Sequence, residues 1–198
     1  MSTRLPEQFA WRAKAVAIGA SAGGIDALFT LLDGLQPPVA APIVVVLHLP
    51  ENHESQLVPV FQARVGMPVR EAEPHAPVEG GTLYFAPPGY HLLLEADHTF
   101  SLSCDPPVLF SRPSIDLMLE SSADAYGEGL AGMVLTGASE DGARGLARVR
   151  ALGGLTAVQD PSEAAHAAMP AAAAALARPD FVLPLAGLRR LLHTVVRP

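Results

Sequence analysis

The chain has 198 residues, of which 49% are hydrophobic and only 17% are charged. That is enough apolar material for one packed core, so a single domain is expected. Its 13 lysines and arginines are outnumbered by 20 aspartates and glutamates, which gives a formal net charge of −7. Binding to nucleic acid or to an anionic membrane needs a basic stripe. Because no run of lysines or arginines occurs, neither partner is expected.

The cysteine content and the start of the chain indicate the compartment. Cys104 is the only cysteine, which excludes an internal disulfide, a thiolate zinc cluster and a Cys-x-x-Cys redox site. Residues 1–7 lack the apolar segment of a signal peptide, and no run of about 18 uncharged apolar residues occurs. The longest apolar candidate, Ala164–Ala177, is interrupted by His166 and Pro170. We therefore expect a soluble, cytoplasmic protein without direct membrane insertion.

Short apolar runs rich in β-branched residues recur along the chain, each closed by glycine, proline or a polar residue. Runs of this kind, separated by segments long enough to hold helices, are typical of parallel strands buried on both faces. Five such runs and a shorter sixth predict the strands Ala15–Ile18, Ile43–Leu47, Leu83–Ala86, Met133–Thr136, Leu155–Val158 and Phe181–Leu183.

The segments between these runs predict the helices and one hairpin. Apolar residues at positions 25, 28, 29 and 32 have the spacing of an amphipathic helix, so this helix and the first two strands form a β-α-β unit. A short loop joins two further apolar runs, and so short a connection links only antiparallel strands. The remaining elements are a hairpin of His91–Leu94 with Thr99–Leu102, a helix from Pro113 with Asp116 through Ala125, an alanine-rich helix over Ala171–Ala175 preceded by Pro170, and a last helix over Leu188–Val196.

The first predicted strand runs into Gly19-Ala20-Ser21-Ala22-Gly23-Gly24, a G-x-S-x-G pattern at a strand-to-helix turn. Such an elbow presents the serine hydroxyl at the carboxyl edge of the sheet, beside backbone N–H groups and the positive end of a helix dipole. Phosphate binding fits less well, because Ser21 stands where the dinucleotide fingerprint needs its second glycine and no Gly-Lys pair is present. Ser21 is thus either a nucleophile or a residue of a tight glycine-serine turn.

A serine nucleophile needs a base to take its proton, and His48 directly follows the second predicted strand, Ile43–Leu47. Because neighbouring parallel strands end at the same edge of a sheet, we expect His48 to lie beside Ser21. The alternatives are a core histidine, a strand-end histidine facing solvent, or one half of a metal pair with His53. No nearby cysteine or paired acids complete a metal shell, so we expect no metal site and favour the base.

The third group of such a triad is an acid that orients the imidazole. The strand Met133–Thr136 is followed by a glycine-rich turn that holds Glu140 and Asp141, and either carboxylate could fill this role. Asp141 could instead cap the next helix, and Glu140 could be a solvated turn residue. The spacing alone does not choose between them. Glu163 has the position of a capping acid at a helix start, or of a residue at the rim of the site.

Seven short motifs follow one another along the chain, at strand ends and helix starts. They are Ala17-Ile18-Gly19-Ala20-Ser21-Ala22-Gly23-Gly24, His48-Leu49-Pro50, Ala86-Pro87-Pro88-Gly89, Arg112-Pro113-Ser114-Ile115-Asp116, Leu135-Thr136-Gly137, Asp141-Gly142-Ala143 and Gln159-Asp160-Pro161. In this order they resemble the catalytic domain of the chemotaxis receptor methylesterases, the CheB family of protein-glutamate methylesterases. The resemblance extends from about Ala15 to Leu192, and the number of motifs in sequence makes it specific.

This resemblance implies a doubly wound α/β domain with a mostly parallel sheet and an antiparallel hairpin. It implies a catalytic triad in which Ser21 is the nucleophile, His48 is the base and Asp141, rather than the preceding glutamate, orients the imidazole. The oxyanion donors that it implies are the backbone N–H groups near Ala22 and Ala138.

The implied reaction is hydrolysis of γ-glutamyl methyl esters on the helical cytoplasmic region of methyl-accepting chemotaxis receptors, with release of methanol. No metal or organic cofactor is expected. Deamidation of receptor glutamines is a further activity of the family. Two rival interpretations remain: a serine esterase or amidase of the same fold with another substrate, and a non-catalytic binding module that docks to signalling proteins.

Three features depart from the family pattern. Residues 1–14 precede the first strand, so we expect an N-terminal extension and a methylesterase domain over residues 15–196, without a receiver domain and with any regulator on a separate protein. Ala22 stands where many relatives have threonine, a change that a backbone donor survives. Ala138-Ser139 replaces a more common Met-Gly pair, which alters the shape near the oxyanion and could alter the substrate.

Overall fold

The computed structural model describes residues 2–6, 9–48 and 56–198. The strands are β1 (Ala15–Ala20), β2 (Ile43–Leu47), β3 (Val69–Glu71), β4 (Leu83–Phe85), β5 (His91–Leu94), β6 (Phe100–Ser103), β7 (Leu130–Val134), β8 (Leu155–Gln159) and β9 (Phe181–Leu183). The helices are α1 (Gly24–Leu32), α2 (Leu57–Gln62), α3 (Ile115–Tyr126), α4 (Ala143–Ala151), α5 (Ala168–Ala177) and α6 (Leu185–Val195), with a 3-10 turn at Gly127–Gly129. None of these helices is long and apolar enough to cross a membrane.

The central sheet has seven strands in the order β3-β4-β2-β1-β7-β8-β9, and every neighbouring pair is parallel. The chain places β2, β3 and β4 on one side of β1 and then returns to pair β7 with the other side of β1. The strand order therefore reverses between β1 and β7. In open α/β sheets, ligands bind beyond the carboxyl ends of the strands at such a reversal.

Both faces of the sheet are covered by helices. In β1, Val16 and Ile18 point toward α1, α2 and α6, whereas Ala15 and Ala17 point toward α3, α4, α5 and the hairpin. The hairpin, β5 with β6, forms a separate antiparallel sheet. This arrangement confirms the predicted doubly wound α/β fold with a mostly parallel sheet and an antiparallel hairpin.

The ends of several elements differ from the prediction. β7 begins at Leu130 rather than Met133. The alanine-rich helix begins at Ala168, so Pro170 lies in its first turn, where its missing N–H costs no intrahelical hydrogen bond. β3, with 3 residues, and α2, with 6 residues, were not predicted, because elements this short carry too little periodicity to be recognised.

The buried face of α1 also differs from the prediction. Ile25 is exposed, whereas Ala27, Leu28 and Leu31 are buried. The predicted face was wrong at Ile25 because α1 begins at the carboxyl edge of the sheet, so its first turn lies beyond the core. There the Ile25 side chain lines a surface cavity.

The segment before β1 packs along β9 and α6. The Ser2 amide donates to the Asp180 carbonyl at 2.7 Å, and the Ala13 amide donates to the Val195 carbonyl at 2.8 Å. The Phe9 ring packs edge-on against Phe181, with 5.6 Å between the ring centroids. The described part of this segment is therefore fixed against β9 and α6 by backbone and aromatic contacts.

The first turn of α3 sits directly on β1. Gly19 was expected in the turn after β1 but is a strand residue, paired with Val46 and Val134. A Cβ atom on Gly19 would overlap Cγ2 of Ile115, the first residue of α3. The missing side chain thus lets the start of α3 lie against β1 close to the carboxyl edge.

Replacing Gly19 by alanine should lower the free energy of unfolding by about 1–3 kcal/mol, because the added methyl group overpacks this contact. Ile115→Ala removes the obstructing side chain and should itself cost about 2–5 kcal/mol as a cavity forms. The double variant should lose less unfolding free energy than the sum of the losses of the two single variants. Urea unfolding of the three variants measures this coupling, and strictly additive losses would contradict the contact.

Candidate active site

The three predicted triad residues follow three adjacent strands. Ser21 comes directly after β1, and its amide donates to the Thr136 carbonyl beyond β7 at 3.0 Å. His48 comes directly after β2, and its amide donates to the Ala20 carbonyl at 3.1 Å. Asp141 lies in the loop between β7 and α4. All three therefore lie at the carboxyl edge, next to the point where the strand order reverses.

The Asp141 carboxylate is fully buried and accepts four hydrogen bonds. Oδ2 accepts from His48 Nε2 at 2.9 Å and from the Ile115 amide at 2.7 Å. Oδ1 accepts from Ser114 Oγ at 3.0 Å and from the Asp116 amide at 2.9 Å. Burial opposes ionisation, but the bonds from His48 and from the two amides outweigh it, so the pKa of Asp141 lies below its ordinary value.

The structure treats the two candidate acids differently. The Glu140 side chain is exposed, whereas the Asp141 carboxylate contacts the imidazole. Asp141 also acts as a helix cap, although not of the helix considered from the sequence. The residue at the start of α4 is Gly142, in the left-handed conformation, and Asp141 instead accepts from amides in the first turn of α3.

Asp116 returns this interaction from α3 to α4. Its Oδ1 accepts from the Gly142 amide at 2.9 Å and from the Gly145 amide at 2.8 Å, while its Oδ2 lies 3.4 Å from Arg144 Nε. Burial raises the pKa of Asp116, and the neighbouring Asp141 charge adds to that effect. Two buried carboxylates therefore join the starts of α3 and α4: Asp141, in the loop before α4, caps α3, and Asp116, in the first turn of α3, caps α4.

The contact with Asp141 decides which nitrogen of His48 is free to accept a proton. An ionised carboxylate only accepts hydrogen bonds, so Nε2 of the neutral imidazole carries the hydrogen and Nδ1 is the acceptor. Nδ1 lies 3.4 Å from the hydroxyl of Ser111. Ser111 was not predicted from the sequence, because the residues next to it in the chain do not distinguish it from an ordinary turn serine.

Ser21 and His48 line one cavity of about 300 Å³ together with Gly23, Gly24 and Ile25. Within the described part of the chain, the Ser21 hydroxyl makes no hydrogen bond, so the structure brings the predicted nucleophile and the predicted base to one cavity without a direct bond between them. Catalytic hydrogen bonds are often long or unformed without substrate and tighten when it binds.

The elbow after β1 uses its carbonyls and leaves an amide free. The Ser21 carbonyl accepts from the Gly24 amide at 2.8 Å, and the Ala22 carbonyl accepts from Thr136 Oγ1 at 2.9 Å. Gly23 has a φ of 76°, which glycine adopts without strain. Among the described residues, the amides of Ala22 and Ala138 have no acceptor, so both are available to a ligand.

Other groups considered from the sequence have different places. Glu163 accepts a hydrogen bond from the amide of Leu185, the first residue of α6, and so caps that helix. His166 interacts through its backbone: its amide donates a hydrogen bond to Thr136 Oγ1 at 2.9 Å. His53 lies outside the described residues, as do Leu49 and Pro50. In the ranges that the structure covers, no three His, Cys, Asp or Glu side chains are placed to hold a metal ion.

Three comparisons relate the chain to known proteins. A family model described as CheB methylesterase matches residues 16–192. A protein from Leptospira interrogans, provisionally named protein-glutamate methylesterase/protein-glutamine glutaminase, is 41% identical over 178 residues, which cover 90% of this chain and 92% of that protein. Protein-glutamate methylesterase/protein-glutamine glutaminase 1 of Hahella chejuensis is 39% identical over 180 residues, and the match spans 50% of its length.

The fold is similar to a solved structure as well. The crystal structure of the Thermotoga maritima CheB methylesterase catalytic domain superposes with a TM-score of 0.88 at 30% sequence identity. The superposition covers 93% of this chain and 99% of that domain. The likeness therefore includes almost the whole of both chains.

The two buried aspartates should respond to pH in opposite directions. The folded pKa of Asp141 lies below its ordinary value of 3.8, so its contribution to stability is present above that pH and is lost as the pH falls through the folded value. Asp141→Asn should therefore cost about 3 kcal/mol near pH 7, where an amide –NH₂ would face the Ile115 N–H or the imidazole, and less at about pH 3.

Asp116→Asn is the matched control for this measurement. The folded pKa of Asp116 is raised, so its contribution is present below 3.8 and is lost as the pH rises through the folded value. The cost of Asp116→Asn should thus be smaller near neutrality than in acid. Urea unfolding of both variants at the two pH values tests the signs, and an equal response of both variants would contradict them.

Proposed function

The chain belongs to the CheB methylesterase family, and on this basis we propose that it hydrolyses the γ-methyl esters of glutamate side chains on methyl-accepting chemotaxis receptors. The observation that supports this activity is the contact of His48 with the buried Asp141 carboxylate, because the same histidine shares an open cavity with Ser21 at the edge where the strand order reverses. A carboxylate that is buried, ionised and bonded to an imidazole beside a serine is the arrangement that activates a hydroxyl for attack on a carbonyl.

The proposed reaction begins with attack of Ser21 Oγ on the ester carbonyl carbon. The hydroxyl proton moves to Nδ1 of His48, because Nε2 already carries the hydrogen that is donated to Asp141. The carbonyl oxygen becomes an oxyanion, which the amides of Ala22 and Ala138 stabilise. The tetrahedral intermediate then expels the methoxy group, which takes the proton from the imidazolium and leaves as methanol.

The acyl-enzyme is hydrolysed by the same groups. His48 Nδ1 takes a proton from water, the hydroxide attacks the acyl carbon, and the second tetrahedral intermediate releases the glutamate carboxyl group. The proton on the imidazolium returns to Ser21 Oγ as the bond to carbon breaks. Asp141 remains ionised throughout, and its charge stabilises the imidazolium formed in each half of the reaction.

The same site is suited to receptor glutamine side chains. An amide presents the same carbonyl geometry, and the imidazolium can protonate its nitrogen so that ammonia leaves. The relatives from Leptospira interrogans and Hahella chejuensis are both named as glutaminases as well as methylesterases. We therefore include deamidation of receptor glutamines as a second activity of this site.

The partner that we propose is the helical cytoplasmic region of the receptors, which places the reaction in the cytoplasm. A non-catalytic binding module is the alternative class. Such a module has no chemical need for an imidazole that is oriented by a carboxylate and shares an open cavity with a serine hydroxyl. The site geometry therefore favours the hydrolase.

Release of methanol from a methylated receptor cytoplasmic fragment tests the proposal. The parent protein should release methanol, and Ser21→Ala and His48→Ala should each lower the rate on the order of 10⁴-fold or more. Asp141→Ala should cost less than either, because the base remains present although it is no longer oriented. Gas chromatography of the released methanol gives the rates of all four proteins.

Ser111→Ala is the matched control, since Ser111 is the serine whose hydroxyl lies within hydrogen-bond distance of the imidazole. It loses one long hydrogen bond to His48 Nδ1, which is worth about 1 kcal/mol, so its rate should stay within about tenfold of the parent. If Ser111→Ala abolished the reaction while Ser21→Ala did not, the assignment of the nucleophile would be wrong. If the parent released no methanol while a serine-directed phosphonate still labelled Ser21, the protein would be a hydrolase of another substrate.

A further inference from the structure

A tight turn next to the active site carries two bulky apolar residues where glycine or asparagine is favoured. Val108 and Ser111 exchange backbone hydrogen bonds at 3.1 and 2.9 Å, so Leu109 and Phe110 form a two-residue loop. Both have positive φ, 48° for Leu109 and 63° for Phe110. Loops of this shape prefer Asn-Gly, because a large side chain in the left-handed region is strained.

The same two residues are also exposed to solvent. Phe110 is 101% exposed, so within the described chain no packing of its ring compensates for the strain, and Leu109 is 49% exposed. Exposure of a phenylalanine ring to water is itself unfavourable. Backbone strain and exposed apolar surface thus coincide at one position, a combination that is found where a protein binds its partner.

The turn stands against the catalytic histidine. Ser111, which closes the turn, lies 3.4 Å from His48 Nδ1, the atom that accepts the proton of the nucleophile in the proposed reaction. Leu109 and Phe110, which directly precede Ser111, therefore lie near the cavity that Ser21 and His48 line. We refer to these two residues as the docking tip.

Other exposed apolar side chains lie at the same edge. Ile25 lines the cavity of Ser21 and His48, and Tyr90 lies in the loop after β4, the strand next to β2. In the described part of the chain, four of the six exposed large hydrophobic residues are thus at the carboxyl edge of the sheet. The other two, Val60 and Leu176, are on α2 and α5.

We propose that the docking tip, Leu109 and Phe110, binds the turns of the receptor helix that flank the residue carrying the ester. This inference rests on the proposed function. A glutamyl side chain is short, so its ester reaches Ser21 only when the helix itself comes against this edge, and the docking tip is then in contact with the neighbouring turns. A few large side chains commonly supply most of the binding free energy of such a contact.

The docking tip contacts the substrate helix and not the reacting atoms, which predicts a particular pattern of defects. Loss of the docking tip should raise the KM for the receptor fragment and leave the turnover of a small ester unchanged. A purely structural role would instead change stability and lower the rates on both substrates together.

The variant that separates these roles is L109N/F110G. Asn-Gly favours this turn, so the variant should be as stable as the parent or more stable in thermal unfolding, and Ser111 should keep its place. Hydrolysis of p-nitrophenyl acetate should be unchanged, whereas kcat/KM for the methylated receptor fragment should fall about tenfold or more, mainly through KM. Leu176→Gln is the matched control: it removes an exposed leucine near the end of α5 that leads to the amino end of β9, and it should alter neither activity.

Binding is measured separately in the Ser21→Ala background, where no cleavage occurs. Fluorescence anisotropy of a labelled receptor fragment should show about tenfold weaker binding when L109N/F110G is added. Equal binding and equal kcat/KM with and without the docking tip would overturn the proposal, as would a parent that does not bind the fragment. A tip-dependent dimer of the parent in sedimentation would also overturn it, because the occupant would then be a second copy of this chain.

Failure of the proposed function gives a different result. A parent that binds the fragment through the docking tip but releases no methanol would support the tip as a docking residue and contradict the receptor esterase. A parent that releases methanol equally with and without the docking tip would support the esterase and contradict the docking role.

Discussion

The candidate active site depends on a reciprocal exchange of hydrogen bonds that involves two buried carboxylates. One is Asp116, in the first turn of α3, and the other is Asp141, in the loop before α4. Asp141 accepts from the amides of Ile115 and Asp116, and Asp116 accepts from the amides of Gly142 and Gly145. Each buried charge meets the positive end of a helix dipole and N–H groups that would otherwise lack partners. Burial of two carboxylates would be costly without these donors, so the exchange holds the two helices at a fixed separation and orientation.

This constraint determines the orientation of the histidine. Because Oδ2 of Asp141 is fixed by the Ile115 amide, the imidazole that bonds to the same oxygen has one position for Nε2 and presents Nδ1 toward the Ser111 hydroxyl. The close approach of Ile115 to Gly19 ties the start of α3 to β1, and Ser21 directly follows β1. His48 and Ser21 are thus positioned by one connected set of contacts, although no direct bond joins them.

The sequence predicts the sheet and the approximate place of the site, because strand runs and the strand-to-helix elbow are local patterns. It does not predict the partners of Asp141. This carboxylate accepts hydrogen bonds from residues that are 25 to 27 positions away in the chain, at the start of α3. For that reason capping and imidazole orientation appeared to be alternatives, whereas one carboxylate performs both. Ser111 was missed for the same reason: its contact with His48 joins residues 63 positions apart, and no local pattern encodes it.

The turns after β1 and β7 leave unpaired the backbone donors that the proposed reaction uses for its oxyanion. The carbonyls of Ser21 and Ala22 are occupied by Gly24 and Thr136, while the amides of Ala22 and Ala138 have no partner among the described residues. A turn that satisfies its acceptors and leaves its donors free presents a positive surface to a developing oxyanion. Because these donors belong to the backbone, replacement of a side chain at either alanine leaves them in place. The departures from the family pattern at Ala22 and Ala138 therefore preserve the donors that the proposed chemistry requires.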